Sequence, residues 1–107
     1  MNEFYLDMDK YKSRGAYHLH QYRTNNIFKD NVDNNIKIFK SIEPMQNSVI
    51  EIGCGEGLYV YLLNNLSYQI EGIDANKLAV KLATENNIKN VSFGLAHQLN
   101  KMYDTAI

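Results

Sequence analysis

The segment Ser48-Val49-Ile50-Glu51-Ile52-Gly53-Cys54-Gly55-Glu56-Gly57 constrains the fold more than any other part of the chain. A short β-branched run reads as a buried strand, and three glycines at alternate positions read as a tight loop. Leu58 to Leu66 then carries Leu58, Tyr61, Leu62 and Leu66 at helical spacing. A strand that turns through glycines into a helix places the unpaired N–H groups of the first helical turn at its carboxyl end. In open α/β sheets the ligand crevice lies at that end. Glycine, lacking Cβ, lets the backbone turn at positive φ and lets a ligand lie against it.

The same alternation continues downstream. Gln69 to Ile73 reads as a second short strand, closed by Asp74. Asn76 to Glu85 reads as a crossover helix with Leu78, Val80, Leu82 and Ala83 as its apolar face, capped by Asn76 or Asp74 and stopped by Asn86-Asn87. Asn90 to Phe93 reads as a third strand, and Tyr103 to Ile107 as the opening of a fourth. Upstream, Phe28, Val32, Ile36 and Phe39 form one stripe, which predicts a helix over Asn26 to Ile42. Glu43-Pro44 ends it, because the residue before proline is pushed out of the helical region. Its simplest role is to cover the sheet. Residues 1–24 hold Tyr5, Tyr11, Tyr17 and Tyr22 with poor periodicity, and read as a partly ordered arm with one helical turn. Those tyrosines serve either packing or a lid.

Strands alternating with helices of about ten residues imply βαβ units on a parallel sheet. The expected fold is α/β, a Rossmann-like doubly wound parallel sheet. Residues 1–25 are expected to form an arm or partial lid, and residues 26–107 the N-terminal part of the domain. Because the sequence stops inside the fourth strand, the sheet is expected to be incomplete at its C-terminus. The chain then reads as the N-terminal part of a longer protein or as a truncated reading frame.

Composition excludes several classes. Eleven Lys and Arg against 12 Asp and Glu give a net charge of −1, with no basic excess for a nucleic-acid backbone. No apolar run approaches the roughly 18 residues of a membrane span. Met1 to Lys10 lacks the basic start and apolar core of a secretion signal. A single cysteine permits no intramolecular disulfide and no multi-cysteine metal site, and a reducing, cytoplasmic setting is expected. On a strand His18 and His20 would share a face, yet two imidazoles without nearby carboxylates make a poor metal site, so no metal is expected. Cys54 has no histidine near it in sequence and reads as a small loop residue rather than a nucleophile.

Two ligand classes compete for the glycine loop. A dinucleotide fingerprint is Gly-x-Gly-x-x-Gly, its helix dipole meeting a pyrophosphate. Here the glycines run Gly-x-Gly-x-Gly and position 58 is Leu. Glu51 stands two residues before the first glycine, where a carboxylate repels a pyrophosphate and favours an ammonium-bearing ligand. Asp74, 17 residues after Gly57, can accept hydrogen bonds from both hydroxyls of a ribose, which serves either class.

Glu51-x-Gly53-x-Gly55-x-Gly57 closely resembles motif I of the class I S-adenosylmethionine-dependent methyltransferases. Phe93-Gly94-Leu95-Ala96-His97-Gln98-Leu99 looks like that family's adenine-side loop, and Tyr103-Asp104-Thr105-Ala106-Ile107 is similar to its "FD-x-V-x" fourth strand. Gly15-Ala16-Tyr17-His18 is loosely similar to an N-terminal G-x-Y-H stretch of some members. The resemblance covers residues 48–107 well. It implies a strand order of 3-2-1-4, S-adenosyl-L-methionine as cofactor and methyl transfer to an acceptor, read here as a small molecule.

Site roles follow from that resemblance. Gly53, Gly55 and Gly57, with Cys54 between them, let the backbone pass the methionine part and the ribose. Glu51 faces the amino end, directly or through water. Asp74 binds the ribose hydroxyls, Ala75 packs on the adenine, and Ala96 and His97 line its other side. Many members carry an acidic residue in the adenine loop. Ala96, His97 and Gln98 stand there instead, which leaves backbone groups or Gln98 to hold the base. The implied reaction is an SN2 transfer from a sulfonium, in which the protein positions donor and acceptor and excludes water. An oxygen acceptor adds the need for a general base. His18 is a candidate, beside a structural or solvated role. Two other readings stay open. One is an NAD(P)-dependent oxidoreductase, against which Leu58 and Glu51 count. The other is a truncated, non-catalytic module that binds the cofactor.

Overall fold

The structure, a computed structural model, describes residues 18–99 and 101–107. Tyr5, Tyr11 and the Gly15-Ala16-Tyr17 stretch lie outside the described residues. The chain divides into two compact units, residues 1–44 and 45–107.

In the first unit, helix α1 (His18–Thr24) packs on helix α2 (Asn26–Ile42). The expected single turn before Asn25 is too short, because seven residues are helical. The segment His-Leu-His-Gln-Tyr-Arg-Thr buries only Leu19, so it carries no stripe for periodicity to find. On a helix His18 and His20 point apart rather than sharing a face. The His18 ring instead stacks on Phe28, with 6.2 Å between centroids. Helix α2 has the expected limits. Asn25 caps it by accepting from the Phe28 N–H at 3.1 Å, and Glu43 is already extended before Pro44. Val32 and Ile36 are buried, while Phe28 and Phe39 are half-buried. A polar clip joins the helices: the Tyr22 hydroxyl donates to Asp33, whose other oxygen takes Lys29 Nζ at 2.7 Å. Those two donors, Lys29 first, hold the Asp33 carboxyl below its ordinary range.

The second unit is a four-stranded parallel sheet in the order β3-β2-β1-β4, as expected. Its strands are β1 (Ser48–Ile52), β2 (Gln69–Asp74), β3 (Val91–Phe93) and β4 (Thr105–Ala106). Helix α3 (Leu58–Asn65) joins β1 to β2, and α4 (Lys77–Glu85) joins β2 to β3. The central β1 runs in register with β2 from Ser48↔Gln69 to Ile52↔Ile73. On its other side the pairs are Val49↔Thr105 and Ile50↔Ala106. Backbone bonds extend that pairing, from Asp104 N–H to Ser48 O at 3.0 Å through Ile52 N–H to Ile107 O at 2.7 Å.

Val49, Ile50, Ile70 and Ile73 of the sheet, with Val60, Leu63, Leu82 and Ala83 of the helices, form the core of this unit. Each buried Val, Leu or Ile contributes about 1.5–3 kcal/mol. The helix faces differ from expectation. On α3 the buried residues are Leu58, Val60 and Leu63, while Tyr61 and Leu62 are half-buried and Leu66 lies exposed past the end. From Leu58 to Leu63 every residue is aliphatic or Tyr, so hydrophobicity does not choose the face. On α4 Ala79 joins Leu82 and Ala83 inside, and Leu78 and Val80 are half-buried. The small Ala79 lets the helix approach the sheet closely.

Candidate functional site

The three loop glycines all have positive φ, +75° at Gly53, +60° at Gly55 and +84° at Gly57. They do different work. A Cβ built on Gly53 or Gly55 meets nothing within 4 Å. A Cβ on Gly57 lies 2.5 Å from Val91 Cγ2 and 3.1 Å from Ile88 Cγ2. Gly57 is therefore a packing position beneath β3, and Gly53 and Gly55 present bare backbone to open space. The loop is tied to β2, because the Gly53 and Cys54 N–H groups both donate to Ile73 O, at 2.9 and 3.0 Å. Gly57 N–H closes the turn on Cys54 O at 3.0 Å, and Gly57 O accepts from Tyr61 N–H to start α3.

Asp74 connects this loop to the next crossover. Its Oδ2 accepts from Gly55 N–H at 2.8 Å and its Oδ1 from Asn76 N–H at 2.7 Å. Asn76 in turn caps α4, accepting from Leu78 N–H at 2.9 Å and Ala79 N–H at 3.4 Å. Each carboxylate oxygen of Asp74 keeps a second lone pair for a ligand hydroxyl. Asp74 O accepts from Gly94 N–H at 3.1 Å, which draws the segment after β3 alongside the end of β2. Ala75 is exposed next to Asp74. Ala96 and His97 are exposed in a single 3₁₀ turn, Ala96–Gln98, just beyond the Gly94 anchor. The glycine loop, Asp74-Ala75 and the 94–98 segment thus all leave the carboxyl ends of β1, β2 and β3.

Two features of this edge escaped the sequence reading. Phe93 pairs in register with Asp74, yet its ring is 51% exposed, with Lys77 Nζ 5.1 Å from its centroid. A phenylalanine in a strand pattern reads as core, which hides a rim position. Glu56 is wholly buried, although a charged residue among glycines reads as solvent-facing.

Cys54 packs on the sheet. A Cβ on Gly72 would lie 2.6 Å from Cys54 Sγ and 2.8 Å from Val60 Cγ2, so Gly72 makes room for both. Burial above all, then the charges of Glu51 and Asp74, pushes the thiol up to about 12. A buried thiol held in its protonated form suits a packing role better than a nucleophilic one. Glu51 lies opposite Gly72 in register. Its Oε1 is buried and has no hydrogen-bond partner among the described residues. Desolvation first, then the charge of Asp74, pushes the Glu51 carboxyl up to about 7.

A cleft of about 230 Å³ opens at the amino ends of the strands, away from this crevice, lined in part by Ser48, Gln69, Glu71, Lys101 and Tyr103. Several of its polar atoms are bonded within the protein. Tyr103 donates to Glu71 Oε1 at 2.6 Å, Lys101 Nζ to Oε2 at 3.0 Å, and the Ser48 N–H to Asp104 at 2.8 Å. Among the described residues no group of three or more His, Cys, Asp or Glu could hold a metal ion. None of their helices is long and apolar enough to cross a membrane.

No family model matches the sequence, and no curated protein matches it. Solved structures do match. The PH0226 protein from Pyrococcus horikoshii OT3 superposes with a TM-score of 0.64 at 20% identity, over 78% of this chain and 43% of that one. Magnesium protoporphyrin IX methyltransferase (ChlM) from Synechocystis PCC 6803, with bound SAH, gives 0.60 at 21% identity, over 92% and 54%. Coclaurine N-methyltransferase, bound to N-methylheliamine and SAH, gives 0.52 at 18% identity, over 67% and 24%. The chain thus spans about half or less of the length of these structures. Over the part it spans, its fold is the Rossmann-like fold of the class I S-adenosylmethionine-dependent methyltransferases.

Proposed function

We propose that residues 48–107 carry the S-adenosyl-L-methionine site of a methyltransferase whose acceptor is a small molecule. The observation that carries this reading is the Asp74 carboxylate, held between the Gly55 and Asn76 amides beside the bare backbone of Gly53 and Gly55. The fit is chemical. A ribose needs a fixed double acceptor, which Asp74 supplies. An ammonium group needs an unpaired carboxylate, which Glu51 supplies. A pyrophosphate meets the Asp74 carboxylate and finds no cation at Glu51, and is disfavoured. The presence of SAH in two of the matched structures supports the same ligand here.

In this reading Gly53 and Gly55 pass the methionine part, Ala75 packs on the adenine, and Ala96 and His97 line its other side. Gly57 and Cys54 contribute by shaping the loop. When bound, the cofactor supplies a methyl group on a sulfonium, transferred by SN2 displacement. The protein's part is orientation and exclusion of water. The free Cys54 fits a reducing, cytoplasmic setting.

Titration calorimetry tests the reading. S-adenosylmethionine and S-adenosylhomocysteine are expected to bind, and NAD is not. Asp74→Ala should weaken binding by about 1.5–3 kcal/mol, the scale of hydrogen bonds to a charged group. Tight NAD binding with no heat from S-adenosylhomocysteine rejects it.

A further inference from the structure

Glu51 stands on the central strand beside the glycine loop, and its Oε1 is buried without a hydrogen-bond donor among the described residues. Among the described residues no cation offsets its charge. From β2 comes Asp74, whose oxygens already accept the Gly55 and Asn76 amides. The loop brings Cys54 and the wholly buried Glu56. Helix α3 carries Tyr59 and Tyr61 as its titratable groups. The two residues of β4 are Thr105 and Ala106, and Asp104 before them is bound to Ser48 at the other end of β1. None of these groups is a cation. A buried carboxylate oxygen facing a like charge, with neither donor nor cation among the described residues, is costly, and protonation removes the cost. The upward push on Glu51, to about 7, has the same two causes.

We propose that ligand binding in this crevice is a proton exchange: Glu51 carries a proton in the free protein and releases it to solvent when a ligand's ammonium group takes its place. One positive charge enters and one proton leaves, so the charge at Glu51 is balanced in both states. The inference rests on the reading of the crevice as a site for a nucleoside with an amino-acid tail, and it adds a pH dependence to that site. Above neutrality the carboxylate is ready for the ligand. Below it, the ligand must first displace a proton, and affinity falls.

S-adenosylhomocysteine is the probe, because its ammonium stays charged across the range. Its affinity should fall about tenfold between pH 8 and pH 6, as expected for one group titrating near 7. Calorimetry at pH 6.5 in two buffers of different ionisation enthalpy should show release of most of one proton. 5′-Methylthioadenosine, the same nucleoside without the amino-acid tail, should bind with no proton release and a flat pH profile. Glu51→Gln should flatten the profile of S-adenosylhomocysteine. Carbon-13 NMR of the free protein should show the Glu51 carboxyl titrating near 7. A Glu51 that titrates near the ordinary 4.5 overturns the inference whatever binds. If both ligands bind with flat profiles and no proton release, the exchange fails and the site stands. If neither binds, the site reading fails and the inference with it.

Discussion

Glu51 and Glu71 lie on adjacent strands, one register step apart, since Ile50 pairs with Glu71 and Glu51 with Gly72. The pleat turns them to opposite faces of the sheet. Glu71 receives the Tyr103 hydroxyl on one oxygen and Lys101 on the other, and these partners, Tyr103 first, hold its carboxyl below the usual range. Tyr103 precedes β4, so its side chain reaches past β1 to a residue of β2 and ties three strands together. Among the described residues Glu51 receives nothing comparable, and it is pushed the other way. The same residue type therefore serves the fold where the fold supplies its partners. Where the described residues supply none, as at Glu51, the carboxyl is pushed up instead of down. At the amino edge both oxygens of Glu71 are partnered, and at the carboxyl edge Glu51 Oε1 has no partner among the described residues.

The glycine loop offers the largest test of that contrast, because Gly55 and Gly57 share a positive φ but not a neighbourhood. Gly57→Ala meets both the backbone penalty and the overlap with Val91 and Ile88, and should cost about 2–5 kcal/mol of stability. Gly55→Ala meets the backbone penalty alone and should cost about 1–2 kcal/mol, while filling the space assigned to the ligand. Urea unfolding of the two variants measures the difference. Equal losses would mean that both glycines are structural and that the loop has no ligand side.

Much of this edge was legible in the sequence, and the reason is locality. The strand, loop and helix of Ser48–Asn65 follow from contiguous residues, and so does the Asn76 cap. Asp74 is recognisable as the residue that ends the second strand. The illegible parts depend on residues far apart or on degenerate patterns. Nothing near Gly57 in sequence announces Val91, and nothing near Cys54 announces the gap left by Gly72. The Glu71 cluster joins residues 30 and 32 positions apart, each ordinary in its own context. Helix α1 has too few apolar residues to signal itself, and α3 has too many to show its face.

An intermediate effect comes from stability against pH at Glu51. Its folded value, about 7, lies above the ordinary 4.5. The folded state thus holds a proton that the unfolded state gives up. The stabilisation from this group is fully present below about 4.5 and is lost as pH rises through about 7. With allowance for partial solvent screening, the loss is about 1–2 kcal/mol. Glu51→Gln mimics the neutral acid and has no such loss. Thermal melts should show the variant gaining on the wild type from pH 5 to pH 8. A constant gap across that range would mean that Glu51 is charged throughout and that the two edges do not differ in this way.

At Glu71 the sign reverses and the effect is smaller. Its folded value is lowered, so the unfolded state binds a proton more readily. The stabilisation is present above the ordinary carboxylate range and disappears as pH falls through the folded value. Tyr103→Phe removes the stronger partner and leaves Lys101, whose side chain is 60% exposed and contributes little. The cost at pH 7 should be about 0.5–1 kcal/mol, modest because the cluster is open to solvent. It should shrink toward zero in acid, where the Glu71 carboxylate is neutral in wild type and variant alike. The Tyr103 hydroxyl, raised to about 12 by its bond to Glu71 first and by burial second, stays a donor well into the alkaline range. The variant's deficit should therefore hold steady from pH 7 to pH 9. A deficit that instead grew in acid would give Glu71 the same slope as Glu51, and the opposition between the two edges of the sheet would be lost.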